Sequence, residues 1–237
     1  MKELNTLIAL HEYTDSFVEF FGWYEDAAET ILTAFNILHK NKICHRDLKP
    51  QNVLVASISP IKIKLADFSI AKSTSPNASR MRTMIGTGNY MAPEVLGLST
   101  YRKAGRSYTQ AVDMWAMGVL THELYTGTIP FSEAGYGSGV ESGDEETPGN
   151  FHNYSTNNGD STYYSANTSF NVRLNSPELV EYCKKEGGTV FPVAALTEAN
   201  APHSLLDFIE SLLYPDPLNR LPASRALEHP WIIGAKA

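Results

Sequence analysis

Eight residues, His45-Arg46-Asp47-Leu48-Lys49-Pro50-Gln51-Asn52, bring an acid, a base and an amide close together. Such a set can accept a proton, supply positive charge beside a reacting group and fix geometry through hydrogen bonds. A second carboxylate follows in Asp67-Phe68-Ser69, and a polar stretch then ends in Gly86-Thr87-Gly88-Asn89-Tyr90-Met91-Ala92-Pro93-Glu94. Alone, the stretch His45 to Asn52 also reads as a charged surface turn after a helix. The ordered motifs around it favour chemistry over that reading.

Several elements must position these groups. From Glu25 to Lys40, Ala28, Ile31, Leu32, Phe35 and Leu38 recur at helical spacing. The acids Glu25 and Asp26 suit its N-terminal end, and Lys40 and Lys42 its other end. This helix delivers the chain into the His45 loop. Ile61, Ile63 and Leu65 alternate with Lys62 and Lys64, as in a half-exposed strand, and pair with Asn52 to Val55 in a small antiparallel hairpin under the site. Val112 to Tyr125 is apolar nearly all round, so it is a helix buried at the domain centre, stopped by Gly127 and Pro130. Leu4 to Tyr13 reads as a short strand, and Lys72 to Met84 as a mobile polar loop. Shorter helices are expected over Glu178 to Lys185, Ser204 to Tyr214 and Pro222 to Glu228. Ahead of these helices, 132–175 is rich in Gly, Ser, Asn, Thr, Tyr and acids and poor in aliphatic residues, the composition of a disordered acidic insertion.

The apolar fraction of 43% allows a sizeable core. A net charge of −7 argues against nucleic acid as a main partner, which needs a basic face. Cys44 and Cys183 are too few for a disulfide framework or a zinc site, so a reducing compartment is the default. No apolar run approaches the ~18 residues of a membrane span, and Met1 to Asn5 lacks a signal-peptide pattern. A soluble protein, cytoplasmic or nuclear, with no membrane partner is the expectation.

The motifs, ordered and correctly spaced from about Glu25 to Ile232, resemble the C-terminal lobe of a eukaryotic-type Ser/Thr protein kinase. The resemblance implies a mainly α (α+β) fold: a helical bundle with a small β-hairpin at the active site and an incomplete N-terminal lobe. It divides the chain into an N-lobe remnant at 1–21, the first part of the C-lobe at 22–131, the insertion at 132–175 and terminal helices at 176–237. It implies that Asp47 orients the substrate hydroxyl as the catalytic base and that Lys49 faces the transferred phosphate. Asn52 and Asp67 would hold magnesium ions, and Leu54 would underlie the adenine of ATP. Thr87 matches the threonine that bridges the catalytic Asp and Lys. Arg46 would pair with a phosphate placed on Thr83 by an upstream kinase, with Thr74, Ser75 and Ser79 as rival sites. Glu94 would form a buried ion pair with Arg220, and Asp113 would anchor the catalytic-loop backbone. His45 and Phe68 resemble packing residues of the active conformation. The protein substrate would carry Ser or Thr.

The chain also departs from the family. No glycine-rich phosphate loop and no strand lysine precede His45. Residues 1–21 match either the last N-lobe strand and hinge, with Glu12-Tyr13 as hinge pair, or an earlier strand joined directly to the lower lobe. Ser69 stands where the metal-binding motif usually has Gly, and Gln51 where an acid is more frequent. Three readings follow: a piece of an active Ser/Thr kinase, a pseudokinase-like interaction module, or a lobe-only protein. The complete set Asp47, Lys49, Asn52 and Asp67 favours the first. This chain alone is expected to transfer phosphate weakly or not at all, and to expose apolar surface on its upper face.

Overall fold

A helix over Ala111–Thr126 forms the centre of the molecule in a computed structural model that describes residues 2–3, 23–58, 61–74, 87–98, 109–131, 176–184 and 191–234. The strand expected at Leu4 to Tyr13, the candidate phosphosites Thr83, Ser75 and Ser79, and the insertion at 132–175 lie outside the described residues. The helices are α1 (Trp23–Lys40), α2 (Pro93–Leu96), α3 (Ala111–Thr126), α4 (Pro177–Lys184), α5 (Ala194–Glu198), α6 (His203–Leu212), α7 (Ala223–Ala226) and α8 (Pro230–Gly234). The strands are β1 (Lys2–Glu3), β2 (Ile43–Cys44), β3 (Val53–Ile58), β4 (Ile61–Leu65) and β5 (Lys72–Ser73).

Helix α3 has no polar face because neighbours cover every side. Val112, Met114, Trp115, Met117, Val119 and Leu120 are all buried. Helix α6 approaches so closely that a Cβ on Gly118 would meet Leu213 Cδ2 at 2.8 Å. Gly127 closes α3 in the left-handed conformation that glycine adopts without a Cβ clash, at φ 70°, with its N–H donating to Glu123 O at 2.8 Å.

Helix α1 buries Ala27, Ala28, Ile31, Leu32 and Phe35 on one stripe, as its 3.6-residue spacing predicts. It packs on α3, on β4 and on the terminal helices α7 and α8. The hairpin forms in the expected place. Strand β3 lies between β1 and β4, with Val53 opposite Leu65, Leu54 opposite Lys64 and Val55 opposite Ile63, and a bulge before Ser57. A second two-stranded ladder joins β2 to β5, Cys44 opposite Lys72. The two ladders hold the His45 loop and the Asp67 turn against each other. The terminal helices differ in detail from expectation. The segment expected over Pro222 to Glu228 is helical only at Ala223–Ala226, while α2, α5 and α8 are additional short helices.

On the face formed by α1 and β4, apolar groups remain open. Ile37 is 58% and Phe68 48% exposed, and with Ile31, Ala34, Leu38, Ile63 and Leu65 they line a groove of about 370 Å³.

Candidate active site

The loop from His45 to Asn52 cannot hold itself open by local hydrogen bonds alone. Arg46 sits at φ 72°, a left-handed conformation that costs an L-residue about 1–2 kcal/mol. Asp113, at the start of α3 and 1% exposed, offsets that cost. Its carboxylate accepts the backbone N–H of His45 at 2.9 Å and of Arg46 at 2.8 Å. His39 Nε2 lies 2.9 Å from the same carboxylate, and Gln110 Nε2 donates to His39 O at 2.9 Å. The last turn of α1, the first turn of α3 and the loop are thus tied at one buried acid.

His45 is fully buried. Its Nε2 reaches Ala66 O at 3.1 Å and its Nδ1 lies 3.4 Å from the Asp47 N–H, which together fix a tautomer with the proton on Nε2. One edge of Phe68 meets its ring at a centroid distance of 4.9 Å. Phe68 thus contacts the His45 ring while 48% of it stays exposed.

Around Asp47 four donors converge. Oδ1 accepts the Thr87 N–H at 3.1 Å and the Thr87 hydroxyl at 2.9 Å. Oδ2 accepts Asn52 Nδ2 at 3.0 Å and pairs with Lys49 Nζ at 3.0 Å. Lys49 Nζ also donates to Thr87 Oγ1 at 3.0 Å, so this hydroxyl receives from the lysine and gives to the carboxylate. Partial burial alone would raise the Asp47 pKa. The bonds from Lys49, Thr87 and Asn52, with the Lys49 charge, outweigh it and hold the carboxyl below its ordinary range. A carboxylate so engaged is an orienting acceptor first and a proton acceptor only when charge builds on its partner.

The remaining expected residues distribute as follows. Asn52 is buried, and its Nδ2 also donates to Asp47 O at 2.7 Å. Both amide hydrogens are thus directed at Asp47, which presents the carboxamide oxygen for another role. Asp67 stands exposed at φ 61°, and its Oδ1 accepts the Ser69 N–H at 3.1 Å. The hydroxyl and N–H of Ser69 lower its pKa, with smaller help from Lys49 and His45. Leu54 lies half-buried in β3, opposite Lys64. Arg46 Nε donates to Ile70 O at 2.6 Å. Thr74 donates to Lys42 O through its N–H at 2.6 Å and its hydroxyl at 3.1 Å.

Two hard oxygen donors, the exposed Asp67 carboxylate and the Asn52 carboxamide, fit a magnesium ion that draws its remaining ligands from phosphate and water. Among the described residues no cluster of three or more His, Cys, Asp or Glu could make a cage that is wholly protein, as zinc would prefer.

Below the loop, Glu94 and Arg220 form the expected pair, with Nη1 to Oε1 at 2.8 Å and Nη2 to Oε2 at 2.9 Å, both side chains buried. Two groups escaped the sequence reading. Tyr90, in the motif after Thr87, donates to Glu123 on α3. Burial raises the Glu123 carboxyl pKa against the opposing effect of that bond. His39 is the other. No sequence signal pairs it with Asp113, 74 residues away.

A family model described as protein kinase domain matches residues 5–232. The serine/threonine-protein kinase RAD53 of Saccharomyces cerevisiae is 33% identical over 214 residues, 87% of this chain and 21% of that protein. The meiosis-specific serine/threonine-protein kinase MEK1 of the same yeast is 44% identical over 123 residues, 47% of this chain and 24% of the relative. The calcium/calmodulin-dependent protein kinase cmkA of Emericella nidulans is 31% identical over 217 residues, 90% of this chain and 40% of the relative. The chain therefore spans well under half the length of these relatives. Among solved structures, the Rad53 kinase domain and SCD2 in complex with AMPPNP matches with a TM-score of 0.59 and 26% identity, over 97% of this chain and 64% of that one.

Proposed function

The chain belongs to the protein kinase domain family, and from that premise we propose that the protein it represents transfers the terminal phosphate of ATP to serine or threonine hydroxyls of protein substrates. The observation that carries this reading is the Asp47 carboxylate held by Lys49, Thr87 and Asn52 at 2.9 to 3.1 Å.

In the proposed reaction Asp47 accepts a hydrogen bond from the substrate hydroxyl and aims its oxygen at the terminal phosphorus. As the new P–O bond forms and the bond to the leaving ADP breaks, Asp47 takes the hydroxyl proton. Lys49 places positive charge beside the transferring phosphoryl group, where charge stabilisation matters more than covalent help. Asn52 and Asp67 would hold magnesium, which neutralises phosphate oxygens when bound. Leu54 would meet the adenine. Arg46 would receive a phosphate on Thr83, placed there by an upstream kinase, and so order the activation segment. A name shared by relatives, serine/threonine-protein kinase, supports the choice of acceptor.

By itself the 237-residue chain would turn over slowly, since no glycine-rich loop or strand lysine stands ahead of His45 in its sequence. A cytoplasmic or nuclear location fits an activity that uses ATP. Phosphorylation of a degenerate Ser/Thr peptide library with radiolabelled ATP tests the reading. Incorporation that disappears with Asp47→Asn supports it, and incorporation insensitive to that change removes Asp47 from the chemistry.

A second reading, a partner-binding module without catalysis, is favoured by one feature, the apolar groove around Ile37 and Phe68. Retained partner binding in an Asp47→Asn variant with no phosphotransfer by the native chain supports that alternative.

A further inference from the structure

The turn that carries the chain from α1 into β2 passes through Lys42 at φ 59°, a left-handed conformation unfavourable for lysine, so bonds must hold it. Helix α1 ends here, and its last carbonyls need donors from elsewhere. Ile37 O accepts the Asn41 N–H at 3.2 Å and Asn41 Nδ2 at 2.8 Å. Lys42 O accepts the Thr74 N–H at 2.6 Å and hydroxyl at 3.1 Å. His39 O accepts the Lys42 N–H at 3.0 Å. A side chain on the first turn of α3 completes the set. Gln110 Nε2 donates to His39 O at 2.9 Å and, more weakly, to Ile43 O at 3.4 Å. One carboxamide nitrogen, with two hydrogens to give, spans both ends of the turn.

Helix α3 takes hold of His39 a second time through its ring. Nε2 lies 2.9 Å from Asp113 Oδ2, and because a carboxylate only accepts, the ring proton is on Nε2. Phe35 stacks on this ring with centroids 5.5 Å apart, which limits its rotation. The Asp113 N–H donates to Gln110 O at 3.1 Å, so the circuit from Gln110 through His39 to Asp113 closes on the backbone of α3. Asp113 Oδ2 also accepts the His45 N–H, and Oδ1 the Arg46 N–H.

We infer that Gln110 is a positioning residue for the catalytic loop: its amide fixes His39 O and Ile43 O, and through His39 it fixes the Asp113 carboxylate that carries His45 and Arg46, next to Asp47. The part needs N–H donors. A glutamate of the same shape would set another oxygen against two carbonyl oxygens. This role deepens the proposed function, since a proton acceptor works only where it is held in reach of the reacting hydroxyl.

The inference rests on the reading of Asp47 as acceptor, and the experiment lets the two fail apart. Amide hydrogen exchange and the His39 Nε2 proton signal are followed by NMR on the full 237-residue chain, with transfer from radiolabelled ATP to Ser/Thr peptides measured beside them. Gln110→Met keeps the length of the side chain and removes both donors. Exchange at His45 and Arg46 is expected to rise about 5-fold, the effect of losing one ordinary hydrogen bond, with the His39 signal displaced and the β3–β4 hairpin unchanged. Gln110→Lys puts an N–H donor back beside the C-terminal end of α1, where positive charge is favourable, and returns both readings to native. Native exchange in Gln110→Met, equal acceleration in the hairpin, or no recovery with Gln110→Lys each overturns the inference. Transfer that persists in Asp47→Asn instead removes Asp47 from the chemistry, while the exchange readings still decide whether Gln110 holds the loop.

Discussion

Arg220 uses all of its N–H donors at one buried point, and Glu94 is the centre of it. Nη1 donates to Glu94 Oε1 at 2.8 Å and to Ala111 O at 2.8 Å; Nη2 donates to Glu94 Oε2 at 2.9 Å and to Pro215 O at 3.2 Å; Nε donates to Tyr214 O at 2.8 Å. The guanidinium also lies over Trp115, 5.2 Å from the ring. One side chain thus binds the end of the Tyr90 to Glu94 segment, the start of α3 and the turn after α6. Replacing either partner alone leaves a buried charge behind. Glu94→Ala or Arg220→Ala should each cost about 3–5 kcal/mol in urea denaturation, and a double replacement by well-packed apolar residues should recover much of the loss.

Asp113 acts on the loop in a comparable way, through the backbone. Asp113→Ala strands the N–H groups of His45 and Arg46, with Arg46 already in a left-handed conformation. Each buried donor left without a partner costs about 1–3 kcal/mol. Hydrogen exchange should accelerate at these two amides beyond any change at the β3–β4 hairpin. Equal acceleration everywhere would mean global destabilisation instead.

The contact between α3 and α6 tolerates no added atom. Gly118→Ala places a Cβ against Leu213 Cδ2 and Cγ at 2.8 Å and against Leu212 Cβ at 3.0 Å. Alanine favours helix, yet overpacking of this kind costs about 1–3 kcal/mol, so the melting temperature should fall. A rise would show that α6 yields more readily than its packing implies.

Asp47 links the site to pH. Its folded pKa is lowered, because Lys49, Thr87 and Asn52 together outweigh desolvation. Its contribution to stability is then fully present above the ordinary carboxyl pKa of ~3.9 and is lost as pH falls through the lower folded value. Thr87→Val removes the hydroxyl donor and Lys49→Met a charge, so each should move the Asp47 titration upward. Carboxyl ¹³C NMR reads this directly, and an unmoved titration in both variants would remove these groups as the cause.

Much of this was legible beforehand for plain physical reasons. Alternation of Ile61, Ile63 and Leu65 with two lysines marks a half-exposed strand, and β4 is that strand, with Ile63 buried and Lys62 and Lys64 exposed. The unbroken apolar character of Val112 to Tyr125 marks the central helix. The loop Asp47 to Asn52 and the residues Asp67, Glu94, Asp113 and Arg220 stand out by type and order. What remained hidden depends on tertiary contact. Helix α2 has four residues and α5 five, too short for a hydrophobic period to show. The His39 link to Asp113 and the Tyr90 link to Glu123 join residues 74 and 33 positions apart, which no local pattern encodes. At Ser69, where glycine is usual, φ is not positive, and the left-handed residue of that turn is Asp67.

The central claim is that this chain carries the phosphotransfer half of a Ser/Thr kinase active site, with Asp47 as its acceptor. The most direct measurement fuses the upper lobe of the Rad53 kinase domain ahead of residue 22 and follows transfer from radiolabelled ATP to Ser/Thr peptides, beside the unfused chain. Weak or no transfer is expected from the chain alone, transfer approaching the ~1–100 s⁻¹ of ordinary kinases from the fusion, and loss of that transfer with Asp47→Asn. A folded, ATP-binding fusion that stays inert, or one that works as well with Asn at position 47, would contradict it.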